Sequence, residues 1–238
     1  MEAIIIRITP YKEDDAIINA LTSDGFLTFQ AKGIKKPKAK LASVLVVGNI
    51  VDVELISIKA GYLVVGAKSL VDLAPIFSNF TYLTSLNFLG EISKNTLVRK
   101  EEVIHIYPYL KEAIINLTKN DDPLVINTLF LIRLMSVIGY EFKFSSCNTC
   151  GSTKDLMFFD YFSGGITCKN CKSRNSLRLQ SETIQFINEN LKSYKSSELN
   201  DDIKADIKAL FVRLLYFLID NIDLKLQSLP FLQLCFDF

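Results

Sequence analysis

Tryptophan is absent from this chain of 238 residues, and histidine occurs once, at His105. A single histidine leaves little scope for acid–base work near neutral pH, and His105 lies in a helical segment with no nucleophile motif beside it. No phosphate-binding loop, paired-acid motif or G-x-S-x-G elbow occurs, so the common hydrolytic and nucleotide-dependent chemistries lack their signatures. Charge of one sign is also lacking. With 27 basic and 26 acidic residues the formal net charge is +1, which excludes a strong overall field drawing the molecule onto nucleic acid; any such affinity must be local. Uninterrupted apolar runs of membrane length are missing too. The longest, Pro123 to Tyr140, is broken by Asn127 and Arg133 and reads as a buried helix of a soluble protein. At the N-terminus an acid at Glu2 and a base at Arg7 enclose only a short isoleucine run, too little for a secretory signal. A cytoplasmic protein with no membrane contact and no small-molecule substrate is expected.

What is present can bury a large core: 49% of residues are apolar and 22% charged. The first part reads as short strands near Ala3 to Ile8, Ala16 to Thr22, Phe26 to Ala31, Val44 to Ile58 with a break at Gly48-Asn49, and Tyr62 to Lys68. Ser23-Asp24-Gly25 marks a hairpin, because Asp-Gly supplies the positive φ that tight turns need. Five short strands suit a small closed barrel, most simply an oligonucleotide-binding (OB) barrel, with an SH3-like barrel fitting nearly as well. From Ile76 the period becomes helical, with segments near 79 to 95, 101 to 118, 123 to 138, 182 to 193 and 201 to 223. Asp122-Pro123 and Gly139 bracket the third of these. Its apolar residues leave almost no polar face, which places it at the centre of a bundle. The expected fold is α+β and multidomain: an OB barrel over 1–78, then a helical domain over 79–238 with a zinc-binding insert at 145–180.

That insert rests on four of the five cysteines. Cys147-x2-Cys150 and Cys168-x2-Cys171 are separated by the 17 residues 151 to 167, a spacing that suits four thiolates around one zinc ion. Each C-x-x-C makes a tight knuckle aiming two sulfurs at one point, and zinc has no electronic preference that opposes a tetrahedron. Four protein ligands leave no position for water or substrate, so the expected Zn2+ is structural. Disulfides, a redox dithiol and an iron–sulfur cluster are the rival readings of the same pairs. Cys235 has no partner pattern and reads as a small core hydrophobe.

Two runs of positive charge stand out. Lys32, Lys35, Lys36, Lys38 and Lys40 place five lysines in nine residues with no acid among them, in a stretch with Gly33 and Pro37. An exposed loop at the barrel rim follows, able to neutralise phosphates without regard to base sequence, or else simply to be solvated. Arg7 and Phe29 are expected to add a backbone contact and a stacking face. Around the second knuckle, Lys169, Lys172, Arg174 and Arg178 form a second run, which serves either to extend a phosphate-binding surface or to balance thiolate charge.

Taken in order, the motifs resemble the bacterial recombination mediators of the RecO family. Arg7 to Asp15 (Arg-x3-Tyr-Lys-Glu-Asp-Asp), Leu21-Thr22 and Ala31-Lys32-Gly33 carry the resemblance in the first part. Tyr107-Pro108, Ile138-Gly139-Tyr140, the knuckle Cys147 to Gly151, and Gly164-Gly165-x2-Cys168-x2-Cys171 carry it in the middle. Lys225 to Ser228 and Phe231-Leu232 carry it near the end. The resemblance implies an OB barrel, a helical domain and a zinc insert. It further implies a nucleoid-associated protein without covalent chemistry, which binds single- and double-stranded DNA, anneals complementary strands, and works with RecR to let RecA replace the single-strand-binding protein. By the same resemblance Arg7 and the lysine loop would hold phosphates. Arg133 and Arg213 would dock the acidic, apolar C-terminal tail of the single-strand-binding protein.

Overall fold

In the computed structural model, which describes residues 1–195 and 198–238, the alternating N-terminal segments form five strands. They are β1 (Glu2–Tyr11), β2 (Asp15–Thr22), β3 (Gly25–Ala31), β4 (Ile50–Ile58) and β5 (Gly61–Ser69). These close into a barrel in the order β1-β2-β3-β5-β4, with β4 returning to β1 and one parallel contact, Gln30 opposite Leu63, between β3 and β5. That Greek-key order is the OB fold. The β2–β3 hairpin turns at Ser23-Asp24 and closes on the Thr22–Gly25 pair, with the positive φ of 118° on Gly25 itself.

Inside the barrel lie Ala3, Ile5, Ala16, Ile18, Ala20, Phe29 and their neighbours. Phe29 is therefore a core residue, 1% exposed, and not the stacking face expected of it. The two-residue alternation of β3 puts Phe26, Thr28 and Gln30 outside and Phe29 within. The segment Val44 to Val47 is also not strand but a chain of turns. Gly48, at φ 83°, breaks extended backbone before β4, and Leu45 is buried in the barrel as a plug.

Contacts gather the chain into two compact units, Met1–Asn120 with Leu226–Cys235, and Asp121–Lys225 with Phe236–Phe238. The first unit adds to the barrel α1 (Ala74–Phe77), α2 (Phe80–Thr96), α3 (Lys100–Thr118) and most of α7 (Leu229–Phe236). The last barrel strand ends at Ser69, yet α2 and α3 pack on the barrel. Ile4, Leu21 and Ile50 are fully buried although they are not among its interior residues. Glu2 of β1 accepts hydrogen bonds from Tyr107 at 2.8 Å and Lys111 at 2.7 Å on α3.

The second unit holds α4 (Pro123–Val137), α5 (Ser181–Asn190), α6 (Asp201–Ile222) and a three-stranded ribbon of β6 (Leu156–Asp160), β7 (Gly165–Cys168) and β8 (Leu177–Arg178) in the order β7-β6-β8. α4 is capped by Asp122, whose carboxylate accepts from Leu124 N–H at 2.9 Å, and is buried along most of its length. An aromatic cluster joins the ribbon to α6: Phe142 lies edge-on to Phe159 and Phe217, and Tyr161 tilts against Phe217. No helix among the described residues is long and apolar enough to cross a membrane.

Candidate metal centre and nucleic-acid interface

Backbone geometry assembles the four cysteines. In the first knuckle Gly151 N–H donates to Cys147 O at 2.8 Å, and in the second Cys171 N–H donates to Cys168 O at 3.0 Å. Lys143 and Gly165 then hold the two knuckles side by side through a parallel bridge, with Ile166 N–H donating to Lys143 O at 2.8 Å. Cys147 follows four residues after one end of that bridge, and Cys168 three after the other. A β-carbon at Gly165 would strike the backbone oxygen of Lys143 and lie 2.5 Å from its nitrogen, so the approach depends on the missing side chain.

All four sulfurs lie within 4.8 Å of one another, and Cys150 Sγ is 3.8 Å from Cys168 Sγ. Metal–sulfur bonds of about 2.3 Å in a tetrahedron put sulfurs about 3.8 Å apart. The arrangement thus fits one metal ion held by thiolates. Burial raises the Cys147 thiol, but the backbone N–H groups of Cys168, Cys150 and Thr149 aimed at its sulfur outweigh that and hold its pKa down at about 6. Cys171, hydrogen-bonded with Cys168 and Cys150, is pushed up to about 12. Four thiols this close cannot all ionise unless a cation sits among them.

A residue outside the sequence reading stabilises the site. Asp160, 3% exposed at the end of β6, accepts from Phe162 N–H at 2.9 Å and from Ser176 Oγ at 3.4 Å. It thereby ties the loop after the second knuckle to the β6–β7 turn. Burial would raise its pKa, but hydrogen bonds from Ser173, Phe162, Ser163 and Ser176 hold its carboxyl below the ordinary range. The only sequence signal was an acid placed just before a Gly-Gly turn.

On the barrel, Lys32, Lys35, Lys36, Lys38 and Lys40 are all exposed in the β3–β4 connection, anchored by Ile34, which is buried in the barrel core. The positive run is less isolated than the sequence implies. The β1–β2 turn lies against it: Gly33 N–H donates to Asp15 at 2.8 Å, Lys35 N–H to Asp14 O at 3.0 Å, and Lys36 Nζ stands 3.8 Å from Asp14 Oδ2. Arg7 is exposed on β1, opposite Asn19, which itself pairs with Thr28. These three share the outer face of β1-β2-β3. Exposed aromatics on the barrel are Tyr11, Phe26 and Tyr62; none was read as a stacking face in the sequence, where strand residues of either face look alike.

Lys169, Lys172, Arg174 and Arg178 are exposed around the ribbon, and Lys172 Nζ sits 5.1 Å from the centre of the Phe158 ring. The two arginines expected at a docking surface part company. Arg133 is 7% exposed and its guanidinium donates to the carbonyls of Leu191 at 2.8 Å and Asn190 at 2.7 Å. It closes the C-terminal end of α5 inside the unit and does not present a docking surface. Arg213 lies 5.8 Å over the Tyr161 ring in a cleft of 840 Å³ formed by α6 and the β6–β7 turn, with Phe162, Lys208 and Tyr216 in the walls. His105 is exposed on α3.

An OB barrel bearing helices, together with a ribbon whose four clustered cysteines could hold a metal ion, defines a binding-type architecture. Comparison with known proteins narrows the class. Residues 1–64 match the family model described as Recombination protein O N terminal, and residues 78–228 match Recombination protein O C terminal. The chain belongs to the RecO family of DNA repair and recombination proteins. It is similar to the DNA repair protein RecO of Caldicellulosiruptor bescii, 22% identical over 216 residues covering 88% of each chain. It is also similar to those of Bacillus cereus and Bacillus thuringiensis subsp. konkukian, each 23% identical over 184 residues that cover 75% of this chain and 73% of the relative.

Proposed function

We propose that the chain is a non-catalytic recombination mediator. It binds single- and double-stranded DNA, anneals complementary strands, and acts with RecR so that RecA replaces the single-strand-binding protein. The observation that carries this reading is the exposed five-lysine loop seated on an OB barrel, in a chain spanned by both RecO family models. Lysines on a loop anchored through Ile34 neutralise phosphates without sequence preference. Arg7, Asn19 and Thr28 continue a polar strip along the barrel. The four cysteines hold Zn2+, since four soft thiolates at tetrahedral spacing are its commonest structural site. The cleft beside Arg213 takes the acidic, apolar tail of the single-strand-binding protein, with Arg213 and Lys208 offering cations beside aromatic walls.

A second reading, a zinc-stabilised interaction scaffold without DNA affinity, is favoured by the Asp14 and Asp15 contacts that offset part of the loop's charge. Binding of a labelled single-stranded oligonucleotide across a salt series separates the two. Native protein should weaken steeply with salt, and the Lys35→Ala/Lys36→Ala/Lys38→Ala variant should show a log–log slope shallower by about 2. No binding by the native protein at low salt would leave the scaffold reading in place.

A further inference from the structure

We propose that the outer face of the zinc ribbon is a second, independent site for single-stranded nucleic acid, in which Arg174 and Arg178 take backbone phosphates. This rests on the DNA-binding reading above and adds a surface to it. Strand register separates the two faces, and the outer one is open only on its β6–β8 side: Thr167 of β7, opposite Phe158, is buried, while Phe158 is half-buried and Arg178 exposed. Phe159 pairs with Ile166 and Leu177, and Phe159 and Ile166 are buried in the unit's interior, Phe159 against Phe142. Phe158 pairs with Arg178, so these two share the opposite face. Lys172 stands over the Phe158 ring on the same side. Arg174 is carried by the loop that Ser173 and Ser176 form, held to the ribbon by Asp160.

The ribbon's cations are freer than Lys35 and Lys36 of the barrel loop. Among the described residues none of Lys169, Lys172, Arg174 and Arg178 makes an ion pair, whereas Lys36 faces Asp14 and Lys35 Nζ lies 3.4 Å from Glu13 O. Lys169 and Lys172 adjoin cysteines of the second knuckle and serve to balance thiolate charge. Arg174 and Arg178 lie further along the chain, with guanidinium groups suited to phosphate oxygens. Three strands span on the order of 10 Å, room for one backbone, and the half-buried Phe158 beside Arg178 offers a ring on which an unpaired base can stack.

The test uses the full chain with the barrel loop silenced by Lys35→Ala/Lys36→Ala/Lys38→Ala, and a labelled single-stranded oligonucleotide in a salt series. Metal content is measured in parallel. Adding Arg174→Ala/Arg178→Ala should make the log–log slope shallower by about 1.4, weaken binding about tenfold or more near 50 mM salt, and leave metal content unchanged. Arg174→Lys/Arg178→Lys should keep most of the binding. If the native chain binds but the alanine pair changes neither slope nor affinity, the ribbon site is refuted while DNA binding by the barrel stands. No residual binding once the barrel is silenced also overturns it, as does equal loss in the lysine and alanine variants, which would mean a structural role. Lost affinity for an acidic peptide with an unchanged DNA slope would assign the face to a protein partner instead. A native chain that binds no DNA removes the underlying reading as well.

Discussion

Gly165→Ala is the substitution that most directly challenges the account of the metal centre. Gly165 sits at φ 137°, where an L side chain costs about 1–2 kcal/mol. Its added methyl group would meet Lys143 backbone atoms, nitrogen at 2.5 Å, and backbone cannot rotate away as a side chain can. Overpacking of that kind costs about 1–3 kcal/mol more. The total of about 2–5 kcal/mol should lower the midpoint of thermal unfolding by about 4–20 °C in a chain of this size. Because the Lys143–Gly165 bridge sets the distance between the knuckles, metal should also be released at lower chelator concentration. Gly139→Ala is the control. Its φ is 102° but nothing lies within 4 Å of the added carbon, so it should show the backbone cost alone, about 1–2 kcal/mol, with native metal retention. Calorimetry and chelator titration on the two variants decide the matter. Equal destabilisation, or a Gly165→Ala protein that holds metal as tightly as the native chain, would refute the claim that this close approach positions the cysteines.

Other expectations follow from the same contacts. Native protein should carry about one zinc per chain, and Cys147→Ser should lose both the metal and folding stability, since metal binding is part of the folding energy; a metal-free, fully stable Cys147→Ser protein would contradict this. Arg133→Met should destabilise by about 2–4 kcal/mol, because two C-terminal carbonyls of α5 lose a buried charged donor. It should leave DNA affinity unchanged in the salt series. Asp160 has a folded pKa below its ordinary value. Its contribution is therefore complete above about pH 4 and is lost as pH falls through the folded value. Asp160→Asn should flatten the acid side of the stability–pH curve, and an unchanged acid limb would show that the carboxylate does not hold the loop in its charged form.

The signals legible in the sequence were local ones. Two-residue alternation marked all five strands, the 3.6-residue period marked α2 to α6, and the matched C-x-x-C pairs marked the four cysteines that cluster, because each depends on neighbours only a few positions away. The short helices α1 and α7 carried too few turns to show a period. Val44 to Val47 imitated a strand in composition, and only Gly48 and the buried Leu45 made it a plug. What tertiary structure alone decided involved residues far apart in the chain. Phe29 points into the barrel because register, not residue type, selects the face. The lysine loop acquired acidic neighbours when β1, β2 and β3 paired, bringing Asp14 and Asp15 against Gly33 and Lys36. Arg133, which resembles any exposed arginine when read along the chain, became a helix cap because α5 ends 57 residues later beside it. Sequence determines which groups are available and their local spacing; which charges remain free for a partner is set by long-range packing, since burial and pairing depend on segments the local pattern does not contain.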